Sequence, residues 1–168
     1  MNMLPKSVIA LALILAAIVP AQAQSARVLG DFRDWSSYAA DDGTGTQCFA
    51  MTKPKSTEPT PEGFGDAYLY VTNRPGEDVV AEFNVVAGYV FQTGSVASVS
   101  VGGQSFNLFT QADAAWLDDK AQTSTLAAAI RAGSSLTVEG VSANGTRIVQ
   151  TYSLSGATAA QQAIGAEC

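Results

Sequence analysis

Ala67-Tyr68-Leu69-Tyr70-Val71-Thr72 is the stretch that decides the fold class. Ala67, Leu69 and Val71 occupy every second position, with Tyr68, Tyr70 and Thr72 between them. Successive side chains of an extended strand point to opposite faces, so this period of two predicts a strand with one apolar face. The pattern recurs downstream. Ala81, Phe83 and Val85 alternate with Val80, Glu82 and Asn84, and Ala97, Val99 and Val101 alternate with Ser98 and Ser100. Gly102-Gly103 then predicts a tight turn into Phe106 and Leu108. Leu136 and Val138 alternate with Thr137 and Glu139, and Asn144-Gly145 predicts a type I′ turn returning the chain through Arg147–Leu154. Upstream, strands are expected at Asp34–Ala39 and Gln47–Thr52, after a short lead-in at Ser25–Gly30. Between them and the opening stretch, Lys53–Asp66 holds Pro54, Pro59, Pro61, Gly63 and Gly65 without an apolar period. It reads as a long exposed loop, either a plain surface excursion or a functional segment.

Two short helices interrupt the strands. Ser124–Arg131 places Leu126, Ala127 and Ile130 at helical spacing, with Gly133 at the C′ position. Thr158–Ile164 opens with Thr158 and Gln161 spaced as a capping box. Helices this short need a sheet to pack on. Many short alternating strands with Gly-rich turns predict an all-β domain of two packed antiparallel sheets; a small closed barrel is the competing architecture.

The N-terminus has a different character. Lys6 precedes the apolar run Val8–Val19, followed by Pro20 and Ala21-Gln22-Ala23. This is the n-region, h-region and small-x-small cleavage pattern of a secretory signal peptide. The run is shorter than the roughly 20 apolar residues of a spanning helix. Residues 1–23 are therefore expected to be removed and residues 24–168 to form a single domain, exported and without a transmembrane segment. The whole chain carries 9 Lys+Arg against 15 Asp+Glu, a net charge of −6. Loss of Lys6 leaves 8 basic residues against the same 15 acids, a net −7. Acidity keeps an exported protein soluble and disfavours a nucleic-acid partner, which is itself polyanionic.

The two cysteines, Cys48 and Cys168, would meet an oxidising compartment, where one disulfide is the simplest pairing; an intermolecular link through Cys168 is the alternative. Histidine is absent, which removes Ser-His-Asp triads, Cys-His dyads and histidine zinc sites. Ser134-Ser135 has neither a Ser-x-x-Lys nor a Gly-x-Ser-x-Gly context. Gly102-Gly103 lacks the lysine and helix of a phosphate loop. Asp41-Asp42 with Asp31 and Asp34 is a candidate calcium cluster, yet also reads as a hairpin turn with solvated charges; Asp118-Asp119 is followed directly by Lys120. No cofactor or metal is expected. Trp35 and Trp116 are expected as partly buried core aromatics. Tyr68 and Tyr70 share a strand face and form a candidate contact surface if that face is solvated rather than covered by a helix.

Short motifs in a fixed order extend over the mature chain. They are Asp34-Trp35, Cys48-Phe49, Tyr68–Pro75, Gly88-Tyr89-Val90-Phe91, Phe106–Thr110, Asp113–Trp116, Gly133-Ser134-Ser135, Thr151–Gly156 and the Ala163-Ile164…Cys168 ending. In this series the chain resembles the invasion-associated locus B family of exported bacterial proteins. The resemblance implies an immunoglobulin-like antiparallel β-sandwich in the periplasm or at the outer surface, with no catalytic residues or cofactor to carry over. Some members have additional cysteines near the Asp-Trp motif, where this chain has Ser36, Ser37 and Tyr38. The functional expectation is a non-enzymatic envelope or surface protein that binds an envelope or host protein or another envelope component. The alternatives are an envelope-glycan-acting enzyme using paired carboxylates, and a small-molecule or calcium carrier.

Overall fold

The structure, a computed structural model, describes residues 26–168 apart from 42 and 44. The predicted signal segment lies outside the described residues. The elements in chain order are β1 (Arg27–Phe32), β2 (Trp35–Asp41), β3 (Thr46–Thr52), β4 (Ser56–Glu58), β5 (Tyr68–Arg74), β6 (Val79–Val86), β7 (Val96–Val101), β8 (Gln104–Gln111), β9 (Ala114–Leu117), α1 (Thr123–Ala132), β10 (Ser135–Val141), β11 (Arg147–Ser153) and α2 (Ala157–Glu167).

All eleven strands join one antiparallel sheet in the order β1-β2-β3-β5-β6-β9-β8-β7-β10-β11-β4. The sheet folds over on itself, giving the expected all-β sandwich, but its two layers remain hydrogen-bonded to one another between β6 and β9. That junction is narrow, with three registered pairs from Asn84↔Trp116 to Val86↔Ala114. At the opposite side the layers are tied by single bonds. The Trp35 indole N–H donates to the Ser153 carbonyl at 3.0 Å, and the Asp34 amide donates to Ser155. Gln150, fully buried, donates through Nε2 to the Ala87 carbonyl at 2.9 Å and accepts from the Tyr152 hydroxyl.

The period-two positions fill the space between the layers. Trp35, Cys48, Ala50, Leu69, Val71, Phe83, Val85, Val99, Leu108, Leu136, Ile148 and Tyr152 belong to one buried cluster. Both helices contribute to the same cluster, α1 through Leu126, Ala129 and Ile130 and α2 through Ala157, Ala160 and Ile164. The Ser37 hydroxyl, on the inner side of β2, donates to the Ala160 carbonyl. A disulfide joins Cys48 to Cys168, with Cα atoms 6.0 Å apart, and so holds the end of α2 against the inner side of β3. The phenyl of Phe49 and the side chain of Met51 point the other way.

Several local expectations are corrected. The lead-in becomes β1, an edge strand paired, among the described residues, only with β2; its side chains stay largely exposed and so show no burial alternation. The Lys53–Asp66 loop contains β4, which takes its ladder from β11, far along the chain. Gly102 and Gly103 are both left-handed, as a two-residue hairpin turn requires. In the Asn144-Gly145 pair only Gly145 is left-handed (φ 84°). The Gly145 amide bonds to Ser142 and the Ser142 amide to Thr146, so the connection is a type I turn ending in a left-handed glycine, not type I′. Gly133 is extended rather than left-handed; there is little room there, since a Cβ would lie 2.9 Å from Leu154 Cδ1. Thr158 does not cap α2. The helix starts one residue earlier, after left-handed Gly156, and the Thr158 hydroxyl donates to the Arg131 carbonyl at the end of α1.

Candidate functional site

With both helices on the inner side, the outer face of β3, β5, β6, β9 and β8 carries no helix among the described residues. Tyr68 and Tyr70 lie on that face, half-buried against one another with ring centroids 5.9 Å apart. Phe49 meets Tyr70 edge-on at 6.1 Å and stacks on Tyr38 at 5.3 Å. Burial holds the Tyr70 hydroxyl above the usual phenol pKa, with the neighbouring Tyr68 adding to the effect. Thr72, expected beside the tyrosines, is almost fully buried.

Register extends this cluster into a row across the sheet. Directly paired residues of antiparallel strands share a face. Met51 pairs with Tyr70, Tyr70 with Asn84, Asn84 with Trp116, Trp116 with Phe109 and Phe109 with Val96. Trp116 and Phe109 stack at 5.4 Å. Phe109 is 45% and Val96 63% exposed. Trp35 is core, as expected, whereas Trp116 stands on the outer face as part of this row.

A depression lies at each end. Near β2 and β3, Asp34, Ser36, Tyr38, Thr52, Lys53, Lys55 and Tyr68 line a cavity of about 430 Å³. Lys53 Nζ sits 5.0 Å over the Tyr68 ring and pairs with Asp66 at 3.2 Å. Lys55 pairs with Asp34 at 2.6 Å, and this ammonium, with help from the Ser153 hydroxyl, holds the Asp34 carboxyl below its usual range.

The second depression, about 520 Å³, opens where the layers part. Beyond Trp116, β9 leaves β6 and continues along β8, through Leu108↔Leu117 and the Asp118 amide bonded to Asn107. Val79, Glu82 and Phe83 of β6 therefore pair with β5 on one side, and Val79–Phe83 meet no strand on the other among the described residues. Val79, Val80, Phe83, Phe109, Trp116 and Leu117 supply apolar walls, with Glu77, Asp78, Glu82 and Lys120 among the other lining residues. Arg74 makes a bidentate pair with Glu82 at 2.9 and 3.1 Å and reaches Glu77 at 3.1 Å. Both carboxylates raise its pKa, Glu82 the more. Ala81 bulges out of the β5 ladder with φ 55°, its amide held by the Asn73 side chain at 2.9 Å.

The acidic candidates are not brought together. Asp31 accepts from the Ser36 hydroxyl, Asp34 holds Lys55, Asp41 accepts from the Gly43 amide, and Asp42 lies outside the described residues. Asp119 caps the short turn leading into α1 by accepting from the Ala121 amide. Among the described residues no three His, Cys, Asp or Glu side chains form a group that could hold a metal ion. Asn84, Phe109 and Trp116 were not singled out as surface residues by sequence reasoning. The only local signal is the short aromatic-apolar run at Asp113–Trp116, and register, not sequence neighbourhood, unites them.

The sequence model of the family described as "Invasion associated locus B (IalB) protein" matches residues 35–165. The chain belongs to this family. Among solved structures, the crystal structure of invasion associated protein B from Bartonella henselae is similar in fold. It has a TM-score of 0.57 at 15% identity, covering 82% of this chain and 96% of that one. No curated protein matches the chain. For this IalB family member, no helix among the described residues is long and apolar enough to cross a membrane.

Proposed function

We propose that this IalB family member is an exported, non-enzymatic envelope or surface protein that binds a protein or another envelope component through its outer aromatic face. One observation carries the reading: the row Met51, Tyr70, Asn84, Trp116, Phe109 and Val96 lies across six strands, uncovered, while both helices are spent on the inner side. Soluble proteins seldom leave a contiguous apolar strip exposed without a partner for it. Tyrosine and tryptophan combine apolar area with a polar tip, which suits a face that is alternately wet and covered.

Supporting evidence comes from the acids. Glu82 and Glu77 are tied to Arg74, Asp34 to Lys55, Glu139 to Arg147, Glu167 to Arg27 and Asp66 to Lys53. Carboxylates neutralised in pairs are poor acid-base machinery for glycan hydrolysis. The disulfide and the family both favour an oxidising, extracytoplasmic location. Processing there predicts a mature N-terminus at or near Gln24, checked by mass spectrometry of protein from the native envelope.

The test of the face is a photo-crosslinking amino acid at Asn84 in intact cells, against the same probe at Thr137 on β10. A discrete adduct is expected from position 84 alone, and it should weaken when Tyr70→Ala is added. Identical adducts from both positions, or none from position 84, would refute the reading.

A further inference from the structure

We infer that the opening between β6 and β9 is a strand-receiving groove, which binds an extended basic and apolar polypeptide segment by pairing it with the free side of Val79–Phe83. This rests on the binding reading above and names the chemistry of the partner at one end of that face.

Three independent observations converge there. The first is backbone geometry. Val79, Glu82 and Phe83 pair with β5, Val80 and Ala81 bulge, and among the described residues no strand pairs with this stretch on its other side, because β9 turns away after its pair with Asn84. A sheet edge offers unpaired amides and carbonyls to an incoming strand. Here the edge lies inside the sheet rather than at its end, so a guest would bridge β6 and the departing β9. Fully extended, five residues would span about 17 Å; the bulge at Ala81, whose amide is held by Asn73, shortens this track to one that suits a short peptide.

The second observation is the lining. Val80 is 70% and Phe109 45% exposed, and between them Phe83, Trp116 and Leu117 line the opening. A guest strand projects alternate side chains to opposite faces, so every second residue would lie along Trp116 and Phe109. The volume, about 520 Å³, is within the range of natural ligand sites.

The third is charge. Glu77, Asp78 and Glu82 face a single lysine, Lys120, across the opening, and Arg74 is held between Glu77 and Glu82. The balance is net negative, and among the described residues no cation pairs with Asp78. The protein as a whole is acidic, at −6. A basic guest is thus attracted over distance and at contact, while a second copy of this acidic chain is repelled.

The test uses the oxidised protein and a fluorescein-labelled heptapeptide alternating lysine with valine and phenylalanine. Anisotropy reports binding and Trp116 emission reports the place, since Trp35 is sealed in the core. Three comparison ligands accompany it: the same peptide with glutamate for lysine, the same peptide N-methylated at alternate residues, and a β-1,4-linked N-acetylhexosamine oligomer. The basic peptide is expected to bind, to perturb Trp116 and to weaken with salt. Loss of two backbone hydrogen bonds by N-methylation should weaken it about ten-fold. Asp78→Asn, which preserves the left-handed backbone at that residue, and Val80→Lys, on an exposed side chain, should each weaken binding with unchanged melting temperature.

Equal binding of the N-methylated or glutamate peptide would overturn the inference, as would preferential binding of the glycan oligomer or a silent Trp116. If no peptide binds while Tyr70→Ala still weakens the Asn84 crosslink, the groove assignment fails and the binding face stands. If that crosslink is also absent, both fail.

Discussion

Breaking the Cys48–Cys168 disulfide should be the most costly single chemical change outside the central core. The bond closes a loop across 120 positions of sequence. Chain-entropy arithmetic for a loop of that length gives about 5 kcal/mol at 25 °C, an upper figure because engineered and native bridges often return less. For a domain of this size each kcal/mol shifts the melting temperature by roughly 2–4 °C, so a loss of about 10 °C is expected for Cys168→Ser. The two ends are not equivalent. Cys48 is 0% exposed and sits in the core cluster, whereas Cys168 packs at its margin. Serine at position 48 would therefore add an unpaired buried hydroxyl costing about 1–3 kcal/mol, and Cys48→Ala is the cleaner partner. The double variant Cys48→Ala/Cys168→Ser should melt within a degree or two of the worse single variant, because each single change already severs the same bond. Thermal unfolding by circular dichroism, with thiol labelling of the native protein, measures both quantities. Additive losses in the double variant, or free thiols in the native wild type, would refute the reasoning.

Other perturbations test separate parts of the structure. Gly156→Ala should lower stability sharply. Its φ of 96° is left-handed, and an added Cβ would lie 1.7 Å from the Phe32 carbonyl oxygen, so about 1–2 kcal/mol of backbone cost is compounded by displacement of β1; urea unfolding reads it. Tyr89→Phe should be neutral or stabilising by about 1 kcal/mol, because the buried Tyr89 hydroxyl has no hydrogen-bond partner among the described residues. Burial pushes the Tyr89 pKa up to about 12, so the folded state holds its proton where the unfolded chain has lost it. Wild-type stability should then fall as pH rises from about 10 toward 12, and fall less in the phenylalanine variant, in urea midpoints taken across that range. Asp34 has the opposite sign. Lys55 lowers its pKa in the folded state, so its contribution is present above about pH 4 and lost as pH drops below. Asp34→Asn should flatten the acid limb of the stability profile, and an unchanged limb would remove the pair from the explanation.

What the sequence disclosed follows the range of the forces involved. The β5 to β8 strands and the Gly102-Gly103 turn are local and two-sided in their burial, so alternation revealed them. The disulfide was legible because two cysteines leave few pairings. Tyr68 and Tyr70 were legible as a shared face, but not whether α2 lay over it; that depended on Ser37 and Cys48 directing the helix to the other side of β2 and β3. β1 and β4 were missed because an edge strand and a three-residue strand owe their conformation to partners elsewhere. The rest of the binding row was hidden for the same reason. Nothing near Trp116 in the sequence states that Asn84 and Phe109 will flank it, since the register of three separate strands decides that. Ala81 looked like an inward strand residue, and only the Asn73 amide acceptor reveals the bulge that helps open the groove.

The way the sheet is sewn together also sets when the protein can fold. β4, near the beginning, has no ladder until β11 exists, and the Trp35 indole waits for Ser153. β2 and β3 are incomplete on their inner side until α2 and Cys168 arrive. A nascent chain stopped short of β10 would hold hairpins but no closed sandwich. Contacts spanning so much of the sequence make for a late, cooperative collapse on the order of milliseconds to seconds. Such a chain stays threadable until its last turn of helix is made, the condition that the export proposed above would place on it.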